Sequence, residues 1–242
     1  MPGEQLGEMF ARVRAGLRRT LAKGALLDQP EMRVLHERLR ALDPRPLVET
    51  PLQEARFVVI DTETTGFHAY AGDEICSISL IELRGLEPTG RELDTLVNPG
   101  RPIPGESTDI HHITDRDVQD APVIEEVLPE VVDFMDGGIL VGHHIGFDMR
   151  FLNKTLQRQL LCRLKHPWLD TMMLYLAASG RVGHYTLEDV AAFSGVRIEQ
   201  RHTAHGDAVA TSEVFRQLAR RLSEPAHPVS VLIERQYELG QF

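Results

Sequence analysis

Phe57-Val58-Val59-Ile60-Asp61-Thr62-Glu63-Thr64-Thr65-Gly66 decides how this chain is read. Four apolar, β-favouring residues in succession predict a buried strand ending at Asp61. Side chains on a strand alternate between faces, so Asp61 and Glu63 point the same way. The Thr-Thr-Gly that follows reads as a turn leaving the sheet. Two carboxylates side by side at the end of a buried strand are costly unless something compensates them. Hard divalent cations, Mg²⁺ or Mn²⁺, supply that compensation. A two-acid motif is short, so its meaning depends on what the rest of the chain adds.

Outward from this strand the pattern is α/β. A second strand is expected over 75–83. A third, over 92–97, follows a turn at Pro88-Thr89-Gly90. The short links predict antiparallel hairpins. Pro99, Pro102 and Pro104 make an irregular loop. Pro122 reads as the first residue of a helix running to about Met135, stopped by Gly137-Gly138. Ile139-Leu140-Val141 predicts a short buried strand. The stripe Phe147, Phe151, Leu152, Leu156, Leu160 predicts a helix over 147–161, with others over 170–178, 186–193 and 204–222. Hairpins first and strand–helix alternation afterwards argue for a mixed sheet flanked by helices.

The chain has 242 residues, 42% of them hydrophobic and 26% charged, as in an ordinary soluble globular protein, with room for one large domain or one domain plus an appendage. No apolar run approaches the roughly 18 residues that cross a membrane. Cys76 and Cys162 are too few and too far apart for a disulfide framework or a zinc knuckle, and no secretory signal is visible. These features point to a cytoplasmic protein. The formal charge of −10 excludes a protein that coats duplex nucleic acid by electrostatics alone. Residues 1–50 hold nine Lys/Arg against seven Asp/Glu, leaving 17 against 29 in the remainder. That first segment shows the helical stripe Leu6, Met9, Phe10, Val13, Leu17, Leu21. A second helix opens at Pro30 and runs to Leu42. The preferred reading is a helical hairpin packed on the main domain or a partner. The alternative is a guide for a nucleic-acid strand built from Arg12, Arg14, Arg18, Arg19 and Lys23.

Two later stretches extend the acid pair. Gly142-His143-His144-Ile145-Gly146-Phe147-Asp148 begins where a strand ends, where α/β sheets gather ligands. His202-Thr203-Ala204-His205-Gly206-Asp207-Ala208 opens the last long helix. Asp148 and Asp207 each read equally well as helix-start acids. His202 alone reads as an ordinary surface histidine, or as a proton acceptor for a water. Together, four carboxylates from separate segments and one histidine fit two-metal hydrolysis of a phosphodiester.

At this point the chain resembles the DnaQ-like 3′→5′ exonucleases of the DEDDh class, which include the proofreading epsilon subunit of bacterial DNA polymerase III. The resemblance spans about residues 56–222. It rests on Asp61–Gly66, His111–Thr114, Gly142–Leu152, Asp170-Thr171 and His202–Ala208, in the family's order. It implies an α/β, RNase H-like fold: a five-stranded mixed sheet flanked by helices, here with an N-terminal helical extension. Expected boundaries are 1–50 for the extension and linker, 51–225 for the exonuclease domain and 226–242 for a C-terminal tail.

The resemblance also implies two Mg²⁺ or Mn²⁺ ions held by Asp61, Glu63, Asp148 and Asp207, with His202 as general base. Thr62, Thr64, Thr65 and Gly66 would seat the terminal nucleotide. Glu106, His111, His144 and Phe147 are further substrate-binding candidates. Two departures stand out: His144 replaces the usual Asn, and His112 replaces a common Gly, implying that φ > 0 is not needed there.

The implied substrate is the 3′ end of single-stranded or frayed nucleic acid, DNA more than RNA. Two readings compete with it. One is a proofreading or scaffold subunit of a DNA polymerase or repair assembly; the other is an RNase H-like endonuclease, which the His202–Asp207 motif disfavours. Gln236–Phe242 loosely resembles a sliding-clamp peptide, with imperfect spacing, and a plain tail is the preferred reading. The short tail favours a stand-alone enzyme, and the family also includes homodimers.

Overall fold

The strand β1 (Arg56–Thr64) lies at the centre of the molecule, and its apolar run explains why. Phe57, Val58, Val59 and Ile60 are all fully buried, because both faces of the sheet are covered. The computed structural model of the protein describes residues 24–238. The expected helix of Leu6–Leu21, with its arginines and Lys23, lies outside the described residues, as do residues 239–242.

The sheet has five strands in the order β3-β2-β1-β4-β5, with β2 at Ile75–Arg84, β3 at Glu87–Leu96, β4 at Ile139–Gly142 and β5 at Trp168–Asp170. β1, β2 and β3 pair antiparallel, while β1, β4 and β5 run parallel. The longer helices run in chain order as α1 (Pro30–Ala41), α2 (Gly105–His111), α3 (Ile124–Met135), α4 (Gly146–Leu160), α5 (Thr171–Ser179), α6 (Leu187–Ser194), α7 (Ala204–Leu222) and α8 (Ser230–Glu238). The mixed sheet flanked by helices is the architecture that the sequence predicts.

The alternation of β1 sorts the core into two layers. Val58 and Ile60 face a cluster built from α1, α3 and α4, including Leu35, Val131, Phe151 and Leu156. Phe57 and Val59 face the opposite cluster, from α5, α6, α7 and α8, including Tyr175, Val190, Phe215 and Leu232. Each such buried side chain contributes about 1.5–3 kcal/mol. α1 buries Met32, Leu35 and Leu39 against the first layer, so the segment opened by Pro30 packs on the domain.

Several boundaries differ from expectation. β1 does not end at Asp61: pairing continues to Thr64 opposite Ile75, with an irregularity between Glu63 and Thr64. The Thr65 amide still bonds to Glu74 O at 2.9 Å, so the chain leaves the sheet only at Gly66. Pro88-Thr89-Gly90 is not a turn. The hairpin closes at Gly85-Leu86, and Pro88 lies inside β3, beside a register shift between Ile81 and Leu83. An edge strand tolerates a proline because its outward N–H needs no partner. Pro122 is not the first helical residue; its carbonyl accepts from Asn98 N at 2.8 Å, and α3 starts two residues later.

The expected tail after residue 225 is also corrected. Leu52 N and Gln53 N bond to the carbonyls of His227 and Pro225, and Val229, just before α8, and Leu232, within it, are then fully buried. Gln236, 1% exposed, donates to Trp168 O at 3.2 Å and accepts from Asp170 N at 3.0 Å, closing the free edge of β5. The glutamine that would anchor a clamp-binding peptide is therefore spent inside the fold. No helix among the described residues is long and apolar enough to cross a membrane.

Candidate functional site

Strand parity places the acids. Asp61 and Glu63 share the face of Phe57 and Val59, so they project toward α7, where Asp207 sits in the first turn. Oxygens of Asp61, Glu63 and Asp207 all lie within 4.8 Å of one another. Thr62 points to the other face, toward α4, and donates its hydroxyl to Asp148 Oδ1 at 2.6 Å. Asp148 therefore enters from the opposite layer, bonded to the strand through Thr62. All four acids and His202 line one cleft of about 620 Å³.

Crowding and burial tell on these groups. Asp61 is held well above the usual carboxylate range by burial, and then by Asp148, Glu63 and Asp207. Burial first, then Asp207 and Asp148, lift Glu63 to about 7. Asp148 is pushed up to about 7 by burial, against the hydrogen bond from Thr62. Asp207 is raised too, with burial the largest cause and Arg201 opposing it. Carboxylates that resist ionisation in one cleft mark a site built for positive charge. Among the described residues nothing bonds to the buried Asp207 Oδ1, which leaves a lone pair for a ligand. The donor set is all oxygen and anionic, so it fits a hard divalent cation.

His202 is half-buried at the mouth of this group, in the left-handed region at φ 63°. Its loop is tightly held. Gly206 lies so close under Gln200 that a Cβ there would sit 2.2 Å from Gln200 O. Gly66 has a parallel role at the other end: at φ 156°, a Cβ would sit 2.5 Å from Asp73 Oδ2. Asp73 organises that turn by accepting from His68 N at 2.9 Å and from Arg101.

The remaining predicted residues divide. Phe147 is half-buried on the cleft wall and meets the exposed Phe67 edge-on at 6.2 Å. His144 lines the cleft in the left-handed region (φ 54°); its Nε2 donates to Tyr185 O at 3.2 Å, and its backbone N–H donates to Asp170 Oδ1. Thr62, Thr64, Gly66, Phe147 and His111 border a smaller adjoining hollow of about 100 Å³. Thr65 is buried, and its hydroxyl accepts from Glu74 N at 3.1 Å. His111 is a buried, structurally committed imidazole: Nδ1 accepts from Ile113 N and Nε2 donates to Thr64 O. Glu106 is exposed and borders neither cavity. The expectation for His112 is corrected, since it adopts φ 62° as the C-cap of α2. The left-handed cap is needed there despite the side chain, at a cost of roughly 1–2 kcal/mol.

Sequence reading missed Arg201, His143, His184 and Asp170 as cleft residues. Arg201 ion-pairs with Asp207 and holds Glu188 through Nε at 2.6 Å. Its place immediately before His202 was the available signal. His184 stacks edge-on against His144 at 4.2 Å, from a loop with no periodic pattern. Asp170 caps α5 by accepting from Met172 N, and it faces the cleft as well.

The family model described as Exonuclease (RNase_T) matches residues 58–215. A DNA polymerase III subunit epsilon-like protein of Rhodobacter capsulatus is 43% identical over 177 residues, covering 71% of this chain and 25% of that protein. A DNA polymerase III PolC-type of Caldanaerobacter subterraneus subsp. tengcongensis is 34% identical over 191 residues, covering 77% of this chain and 13% of that protein. This chain thus spans a quarter or less of these relatives. Among solved structures, exonuclease X in complex with 5′-overhanging duplex DNA superposes with a TM-score of 0.59 at 22% identity, covering 73% of this chain and 99% of that one. The nuclease domain of 3′hExo, a DEDDh family member bound to rAMP, gives 0.59 at 17% identity, covering 68% and 92%. These two likenesses speak for the fold. The family match covers more than half the chain and takes in the acids of the cleft, and this chain therefore belongs to the exonuclease (RNase_T) family.

Proposed function

We propose that the chain is a 3′→5′ exonuclease that hydrolyses the terminal phosphodiester of single-stranded or frayed ends, DNA in preference to RNA. One observation carries the reading: Asp61, Glu63 and Asp207 converge within 4.8 Å in a cleft that Asp148 and His202 also line. Asp61, Glu63 and Asp207 would hold one divalent ion, and Asp148 with Asp61 a second, Mg²⁺ or Mn²⁺. Bound there, the ions supply charge for the phosphate oxygens and acidity for a water.

The chain's own residues do the rest. His202, anchored by its tight loop, takes the proton of the attacking water. Thr62 fixes the rotamer of Asp148. The hollow beside Gly66 and Phe147 receives the terminal nucleoside. A single chain end needs no broad basic groove, which reconciles the net charge of −10 with a nucleic-acid substrate.

The names of the relatives support a second role, as the exonuclease module of a DNA polymerase assembly. The test is digestion of 3′-labelled single-stranded DNA, single-stranded RNA and mispaired duplex ends by wild type and Asp61→Ala, with Mg²⁺ and Mn²⁺. Loss of cleavage in a folded Asp61→Ala protein is expected. Cleavage at the wild-type rate overturns the metal-site assignment, and cutting of closed single-stranded circles overturns the end requirement. Co-purification with a polymerase decides the second role.

A further inference from the structure

Arg201 is a group the proposed hydrolysis does not use, and its position is unusual. Its guanidinium bridges two carboxylates: one terminal nitrogen pairs with Asp207 Oδ2, while Nε and the other terminal nitrogen grip Glu188 at 2.6 and 3.3 Å. Asp207 is buried and belongs to the acid cluster; Glu188, in the first turn of α6, is half-exposed. The backbone on either side is fixed, with Gln200 and His202 both left-handed and Gly206 packed under Gln200. Freedom is therefore confined to the far end of the Arg201 side chain.

The charge arithmetic follows. Without a divalent ion, Arg201 supplies positive charge to a cluster of acids that burial makes reluctant to ionise. With an ion on the same Asp207, a guanidinium on the neighbouring oxygen faces a like charge at close range, and repulsion disfavours the contact. Glu188 already holds two of the three guanidinium nitrogens in fork geometry, so it can keep Arg201 when Asp207 is surrendered. We propose that Arg201 is an internal counter-ion that competes with the divalent cation for Asp207, and that Glu188 is the partner to which it withdraws. This inference rests on the reading of the acid cluster as a divalent-ion site. Arg201 and Glu188 are positioning residues that set cation affinity without touching the reacting atoms.

The test is direct Mn²⁺ binding to the full chain, without substrate, by titration calorimetry on wild type, Arg201→Gln, Glu188→Gln and the double variant. Arg201→Gln removes the competitor and is expected to bind Mn²⁺ about tenfold more tightly, the ratio that one moderate charge interaction supports. Glu188→Gln leaves Arg201 with Asp207 as its remaining partner and is expected to bind several-fold more weakly. The double variant should match Arg201→Gln, since Glu188 acts only through Arg201. An additive double variant means that both are distant charges, and overturns the inference. So does unchanged or weaker binding in Arg201→Gln, or unchanged binding in Glu188→Gln, whose half-exposed position leaves the fold intact should Arg201→Gln not fold. Absence of Mn²⁺ binding by wild type overturns the divalent-ion reading itself.

Discussion

Removing one negative charge from the acid cluster should stabilise the metal-free protein, and only above a certain pH. Glu63 ionises near 4.5 in the unfolded chain and at about 7 in the fold. Between those values the folded state holds a proton that the unfolded state has lost, so stability falls as pH rises. The penalty is absent below 4.5 and complete above 7. At ~1.4 kcal/mol per pH unit the gap corresponds to ~3 kcal/mol. Glu63→Gln removes this penalty and substitutes a half-buried amide whose imperfect hydrogen bonding costs about 1 kcal/mol. The net gain of ~2 kcal/mol corresponds to a rise of about 4–8 °C in Tm for a chain of this size. The assay is thermal unfolding in EDTA from pH 4.5 to 8, for both proteins. Wild type should lose stability across the interval, and Glu63→Gln should lose less, with Asp61, Asp148 and Asp207 still carrying raised ionisation of their own. Divalent ions should then raise the Tm of wild type far more than that of the variant. A Tm difference that is the same at pH 5 and pH 8 in EDTA refutes the reasoning.

Three further outcomes follow from features outside that cluster. His166 is buried and held down to about 4 by loss of solvation, so its neutral form stabilises the fold fully above 6.5 and progressively less as pH falls toward 4; His166→Leu should flatten the acid side of a urea-midpoint profile. Gln236→Ala leaves the Trp168 carbonyl and the Asp170 amide unpaired and should cost about 2–4 kcal/mol in chemical denaturation. Gly206→Ala drives a Cβ into Gln200 O and should cost about 2 kcal/mol or more, with a fall in kcat exceeding any change in KM, because the displaced loop carries His202.

Much of this architecture was legible because its signals are local. The run Phe57–Ile60 marks a strand covered on both sides, and α7 begins and ends at Ala204 and Leu222, where periodicity puts it. The acids were found because each lies near the end or start of an element, Asp61 and Glu63 in the last half of β1 and Asp148 and Asp207 in the first turns of α4 and α7. The failures share one cause, since they depend on partners distant in sequence. Pro88-Thr89-Gly90 carries turn residues, but β2 pairs with it across a register shift. β5 is three residues long and is defined by its pairing with β4 and its cover from Gln236. His112 takes a left-handed cap despite its side chain, because the chain must leave α2 there while Ile113 N reaches His111. Arg201 escaped notice because a cation beside a proposed cation site makes sense only once Glu188 is seen next to it.

The parity of β1 has an evolutionary consequence. The same even–odd code that buries Val58 and Ile60 in one layer, and Phe57 and Val59 in the other, also decides which layer receives each acid. Inserting or deleting a single residue upstream of Asp61 would exchange the two sets, sending Asp61 and Glu63 toward α4 and Thr62 toward α7. Foldability and chemistry would fail in one event, with no intermediate that retains either. Length variation within this strand is thus closed to gradual drift, whereas the loop from Phe67 to Gly72, which carries no such code, is open to it.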